Sequence, residues 1–183
     1  MRRFSMAVIQ LSSTQDPEEN LQEIGAFVRE AAERGAQTAA LPECALYRGL
    51  EMERYAQDVP GGAAVRRLAQ LARETGLWLH CGSLYERAPQ GGRPYNCTLV
   101  IRPDGTLAGK YRKLHPFDVA VPNGPAVRES DQIRPGEEIV TVDAGDLGTW
   151  GLSICYDLRF GELYRLMALE GAQVLFVPAN FTL

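Results

Sequence analysis

The 183 residues are enough for one ordinary domain and leave little room for a second. With 45% hydrophobic and 23% charged residues the composition is that of a globular chain rather than a disordered one. Nineteen basic against 23 acidic residues give a net charge of −4, which argues against a general nucleic-acid binder, and no apolar run approaches the roughly 20 residues that span a bilayer.

Met1-Arg2-Arg3 has the charge of a secretory signal, but only Met6 to Ile9 follow as an unbroken apolar stretch. That is short of the roughly 7–15 residues of a signal core, so the expected location is the cytoplasm. Phe4 to Leu11 reads as a strand covered on both faces. Asp16 then offers an N-cap, Pro17 a first helical residue and Glu19 a capping-box partner. Leu21, Ile24, Phe27, Val28 and Ala31 recur at helical spacing, with Gly35 as the stop. Thr38 to Leu41 is a second strand, cut by Pro42 just before Glu43. Residues 44–60 read as a long loop carrying Tyr47, Arg48 and Gly49. Ala63 to Thr75 is a helix with Gly76 after its end.

Strand-like segments follow at Leu77–Tyr85 and Asn96–Ile101. Pro103-Asp104-Gly105 signals a hairpin returning through Thr106–Lys113, with Asp-Gly supplying positive φ angles. Residues 115–137, with Pro116, Pro122, Pro125 and Pro135, read as an irregular excursion. Strands at Ile139–Val142 and Thr149–Cys155, a helical pattern at Arg159–Glu170 and a buried-type strand at Gln173–Pro178 complete the chain. The class is α/β, with β-α-β units at both ends and antiparallel hairpins between.

Three reactive side chains fall at strand ends: Glu43 in Leu41-Pro42-Glu43-Cys44, Lys113 in Tyr111-Arg112-Lys113-Leu114-His115, and Cys155 in Ser153-Ile154-Cys155-Tyr156-Asp157-Leu158-Arg159-Phe160. In open α/β sheets ligands collect outside the carboxyl ends of strands. Cys44, Cys81, Cys97 and Cys155 include no CxxC pair, and with only His80 and His115 present the zinc spacings are missing. Most of these cysteines read as small buried hydrophobes. Other lookalikes fail. Gly151 to Cys155 lacks the last glycine of a GxSxG elbow. Gly105 to Lys110 is one residue short of a P-loop and continues with Tyr111. Cys155 and His115 lack the local signatures of Cys-His proteases.

Leu-Pro-Glu at 41–43, Tyr-Arg-Lys-Leu-His-Pro-Phe-Asp at 111–118, Cys-Tyr-Asp-Leu-Arg-Phe at 155–160 and Val-Pro-Ala-Asn at 177–180 resemble, in this order, the nitrilase superfamily of carbon–nitrogen hydrolases. The resemblance runs from Met6 through Leu183. It implies an α-β-β-α sandwich, a catalytic Glu43-Lys113-Cys155 set and an auxiliary Glu129, with no metal and no organic cofactor. It also implies a homodimer or higher homo-oligomer acting on a small amide. Family members continue past Val-Pro-Ala-Asn, so the expectation is a single domain over residues 1–183, incomplete at its C-terminus.

The chemistry suits these residue types. A free cysteine is only a few per cent thiolate at pH 7, so a Lys113 ammonium would favour the thiolate while Glu43 takes its proton. Lys113, with the backbone N–H following Cys155, would hold the oxyanion of the tetrahedral intermediate. Substrate contacts are assigned to Arg159, Tyr47 and Tyr156. Arg159 has two readings, a bidentate partner for a substrate carboxylate or a brace for the helix it begins. Tyr47 and Arg48 line a pocket mouth or belong to a surface loop. Glu129 positions Lys113 or substrate, or is a loop carboxylate. The Cys-Tyr-Asp-Leu-Arg-Phe context resembles the amidase-type branch acting on small carboxyl-bearing amides such as ω-amides of keto acids. Nitrilases typically carry Trp-Glu after the nucleophile, and nitrile hydrolysis is the second alternative. The first is a non-catalytic fragment or partner-dependent subunit.

Overall fold

The computed structural model describes residues 2–120 and 126–181. Among the described residues eleven strands and four helices form a mixed α/β architecture, nine of the strands making two facing sheets with helices outside and two a separate hairpin. The larger sheet contains β1 (Met6–Val8), β2 (Thr38–Ala40), β3 (Trp78–His80), β4 (Leu84–Glu86), β5 (Tyr95–Ile101) and β6 (Leu107–Arg112). Its path is β1-β2-β3-β5-β4, with β6 also paired to β5. The smaller sheet is β11 (Val174–Phe176), β10 (Thr149–Leu152) and β9 (Thr141–Asp143), in that order.

Both end units are parallel crossovers, β1-α1-β2 and β10-α4-β11, with α1 at Pro17–Glu33 and α4 at Gly161–Leu169. The first helix starts where local chemistry dictates. Asp16 is extended, and its carboxylate accepts the Glu18 and Glu19 N–H groups ahead of Pro17. Glu19 does not complete the expected capping box. Its carboxylate accepts from the Thr14 hydroxyl, and that same hydroxyl accepts the Asp16 N–H. The helix α3 (Ala63–Thr75) ends as expected on Gly76 at φ +68°.

Period-two alternation builds two cores. Leu79 on β3, Ala39 on β2, and Cys97, Leu99 and Ile101 on β5 face α1 and α3. Ala40, Val100 and Tyr111 face the smaller sheet, meeting Val142, Trp150, Leu152 and Phe176. With both faces covered, β5 is buried along almost its whole length, Asn96 and Thr98 included.

Several expectations need correction. The expected strand over Phe4–Leu11 is three residues long and is not covered on both faces: Val8 is 82% exposed. The cause is its place at the sheet edge, where no described element packs over it. Leu175, expected inside a buried strand, is exposed because β11 is likewise an edge. The 44–60 loop contains a short helix, α2 (Met52–Tyr55). The single strand expected at Leu77–Tyr85 is broken at Gly82, which has φ +60° and sits so close under Pro42 that a Cβ would run into its carbonyl. At the β5–β6 hairpin only Gly105 has positive φ; the Asp104 carboxylate instead accepts the Thr106 N–H. The 115–137 excursion contains a hairpin, β7 (Asp118–Ala120) against β8 (Ala126–Arg128); Pro122 and Pro125 lie outside the described residues. No described helix is long and apolar enough to cross a membrane.

Candidate active site

Strand direction gathers the site. β2 and β3 are parallel, and β5 runs antiparallel to both β3 and β6, so β2 and β6 share one direction. Their carboxyl ends therefore emerge on one side of the sheet. Glu43 follows β2 by three residues and Lys113 follows β6 directly. Cys155 follows β10 by three residues, opening a 3-10 turn over Cys155–Arg159 rather than lying within the strand. All three line one cavity of about 690 Å³, together with Glu129, Tyr156 and Arg159.

Each group on the cavity floor is tied down. Lys113, 2% exposed, donates from Nζ to Glu43 Oε1 at 3.1 Å and to Glu129 Oε2 at 2.9 Å. Glu43 Oε1 also accepts from the Asn96 amide at 3.0 Å, and Oε2 accepts the Asn180 backbone N–H at 2.9 Å. Glu129 Oε2 accepts the Phe117 N–H at 2.6 Å, which ties the base of the β7–β8 hairpin to the lysine. The turn carrying Glu43 rests on Ser83, whose N–H donates to the Pro42 carbonyl and whose hydroxyl accepts the Cys44 N–H. Cys155 is left-handed, φ +49°, an uncommon conformation for a non-glycine residue that surrounding structure must hold.

The electrostatics differ from expectation at the sulfur. Burial first, and then the adjacent Glu43 carboxylate, push the Cys155 thiol up to about 12. The Asn180 backbone N–H, and after it Lys113, act in the thiolate's favour, but more weakly. For Lys113 itself burial works against the charge, and Glu43 and Glu129 more than reverse that, holding it as an ammonium. The surroundings thus favour the protonated sulfur and the charged ammonium.

Tyr47 is displaced from its expected place. It does not line the cavity but packs with Ala56, Tyr85 and Ile133, stacked on Tyr55 at 4.3 Å. Its apolar ring is better served by that cluster, while its hydroxyl accepts the Glu51 N–H. Arg159 is exposed at the rim and precedes α4 instead of beginning it. Three residues without an expected role meet the site: Asn96, Asn180 and Cys44, the last left-handed at φ +57° and lining the cavity. Of these, Cys44 and Asn180 lay in stretches whose pattern drew notice, Leu-Pro-Glu-Cys and Val-Pro-Ala-Asn, whereas Asn96 read only as the start of a strand. Among the described residues no group of three or more His, Cys, Asp or Glu is arranged to hold a metal ion.

Two facing sheets with helices outside, and a cavity at the carboxyl ends of their strands, are the architecture of the nitrilase superfamily. The chain belongs to the carbon–nitrogen hydrolase family, whose model matches residues 5–182. Human omega-amidase NIT2 is 38% identical over 185 aligned positions that take in 100% of this chain and 66% of that protein. The chain thus spans about two-thirds of that relative's length. Among solved structures, the Caenorhabditis elegans NitFhit protein is 34% identical with a TM-score of 0.87, over 98% of this chain and 44% of that one. Saccharomyces cerevisiae Nit3, described as a member of branch 10 of the nitrilase superfamily, is 30% identical with a TM-score of 0.84, over 97% and 64% respectively.

Proposed function

We propose that this chain hydrolyses the carbon–nitrogen bond of a small linear amide through a thioester on Cys155. The observation that carries the reading is the position of Lys113, bridged by Glu43 and Glu129 on the floor of the cavity that Cys155 also lines.

The thiol is protonated at rest, so sulfur attack on the amide carbon and proton transfer to Glu43 proceed together. The developing oxyanion is held by the Lys113 ammonium and the Tyr156 backbone N–H. Collapse breaks the carbon–nitrogen bond, and Glu43 returns its proton to the departing ammonia or amine. Water then adds to the thioester, giving its proton to Glu43, and the carboxylic acid leaves as the sulfur regains its proton. Arg159 at the rim pairs with a carboxylate on the substrate, which fits the omega-amidase activity named for the human relative. Four free cysteines suit a reducing compartment, and the reading places the chain in the cytoplasm as a homo-oligomer.

Purified protein offered a panel of small amides and the matching nitriles is expected to release ammonia from a carboxyl-bearing amide. Cys155→Ala abolishes the release and Cys81→Ala, in the helix-side core, does not. Silence toward every amide, or turnover surviving Cys155→Ala, overturns the reading.

A further inference from the structure

Asp157 takes no part in the bond-making steps above, yet it is fully buried and accepts four hydrogen bonds. Oδ2 accepts the Ile154 N–H at 2.8 Å and the Tyr111 hydroxyl at 2.7 Å. Oδ1 accepts the His115 N–H at 3.1 Å and faces His115 Nδ1 at 2.7 Å. These donors come from two places. Ile154 immediately precedes the nucleophile, whereas Tyr111 and His115 flank Lys113 on either side.

We propose that Asp157 is a positioning residue: one buried carboxylate fixes the left-handed turn of Cys155 against the strand end that presents Lys113. The inference rests on the proposed reaction, in which sulfur and ammonium must converge on one carbonyl. Burial, reinforced by Asp157, holds the Tyr111 hydroxyl in its protonated, donating form. That hydroxyl also accepts the Leu114 N–H at 3.2 Å, so it secures both sides of Lys113 at once. The His115 ring lies flat on Phe160, centroids 3.6 Å apart, and the Phe160 N–H donates to the Asp157 carbonyl. The 3-10 turn of the nucleophile is thereby clamped at both ends.

A carboxylate is required because the two backbone donors sit on different oxygens. An asparagine has one acceptor oxygen, so whichever way its amide turns, its NH₂ group faces either the Ile154 or the His115 N–H. The turn must then shift, and a displacement of about 1 Å at a reacting group costs about a hundredfold in rate.

The test is steady-state kinetics of Asp157→Asn on an amide that the wild type hydrolyses, with Cys155→Ala in parallel. The expected result is a kcat about a hundredfold lower with KM within about twofold, in a protein that still melts cooperatively. A kcat within twofold of wild type, or a loss confined to KM, overturns the inference while Cys155→Ala continues to support the reaction. Turnover in Cys155→Ala would instead remove the reaction itself. Should Asp157→Asn fail to fold, His115→Phe and Tyr111→Phe carry the test, since each removes one side-chain donor and keeps a ring. A several-fold fall in kcat at unchanged KM supports the role, and wild-type kcat in both overturns it.

Discussion

The floor and the rim of the cavity are built on opposite terms. On the floor, Glu43 accepts three hydrogen bonds and Lys113 is buried between two carboxylates, while Asp157, buried behind the lining, accepts four. At the rim, Arg128, Val127 and Arg159 are exposed, and among the described residues Arg128 pairs with Asp131 alone, at 3.9 Å. Most of the floor's bonds come from backbone N–H groups or from buried side chains, so its charges occupy fixed positions. The rim's charges sit on long exposed side chains. Under the proposed reaction the contrast separates two jobs: groups that would meet a developing charge are held in advance, and groups that would select a substrate are left free to reach it.

The largest expected effect breaks the floor. Glu43→Gln removes the proton acceptor, and kcat is expected to fall by about 10² to 10⁴. The same change removes the charge that, after burial, most opposes ionisation of Cys155. Alkylation of Cys155 by iodoacetamide at pH 9 should therefore be faster in the variant although its turnover is lost. Slower alkylation would show that Glu43 does not hold the sulfur protonated.

A smaller effect sharpens the rim. Arg159→Ala is expected to raise KM for a carboxyl-bearing amide by about tenfold or more, the lower end for a hydrogen bond to a charged group. KM for a neutral amide of the same length should not move. An equal rise for both substrates, or a lowered melting temperature with KM intact, would favour the helix-bracing reading of this arginine.

Floor and rim were also unequally legible. Glu43, Lys113 and Cys155 drew notice as reactive groups at strand ends, where function gathers, and it was the resemblance of the surrounding motifs to the nitrilase superfamily that gave them their expected roles. The helices α1 and α3 were readable from Asp16, Pro17 and Gly76, whose preferences are local. Asp157 was not, since its partners Tyr111 and His115 are 46 and 42 residues away. The signal that could have singled it out is a lone acid between Ile154 and Phe160, where a buried carboxylate needs several donors. Tyr47 misled for the opposite reason. A tyrosine soon after a reactive residue looks like a pocket wall, and only tertiary packing shows that Tyr55 and Tyr85 claim its ring. The β7–β8 hairpin escaped notice because prolines dominate the stretch and its strands are three residues each.

The last expected effect lies beneath the floor. His80 is fully buried on β3, its ring stacked on Phe176 of the facing sheet with centroids 4.4 Å apart. Nδ1 accepts the Gly82 N–H, so the ring proton sits on Nε2, toward the Thr98 hydroxyl at 3.2 Å. Gly82 and Ser83 in turn support the Pro42 turn that delivers Glu43. Burial pushes the imidazole down to about 3 from its ordinary 6.5, so the folded chain keeps it neutral while the unfolded chain takes a proton. Between these two values the unfolded state binds more protons, and stability must fall as pH falls from about 6.5 toward 3. The slope contributed by this one site is about one proton bound on unfolding, and above pH 7 it contributes none. Urea unfolding over pH 7.5 to 4.5 should show a shallower loss for His80→Gln than for the wild type, even though the variant loses the stacked ring and starts from lower stability. Parallel slopes would mean that His80 is charged in the fold, and the support beneath Glu43 would then need a buried anion that none of its contacts supplies.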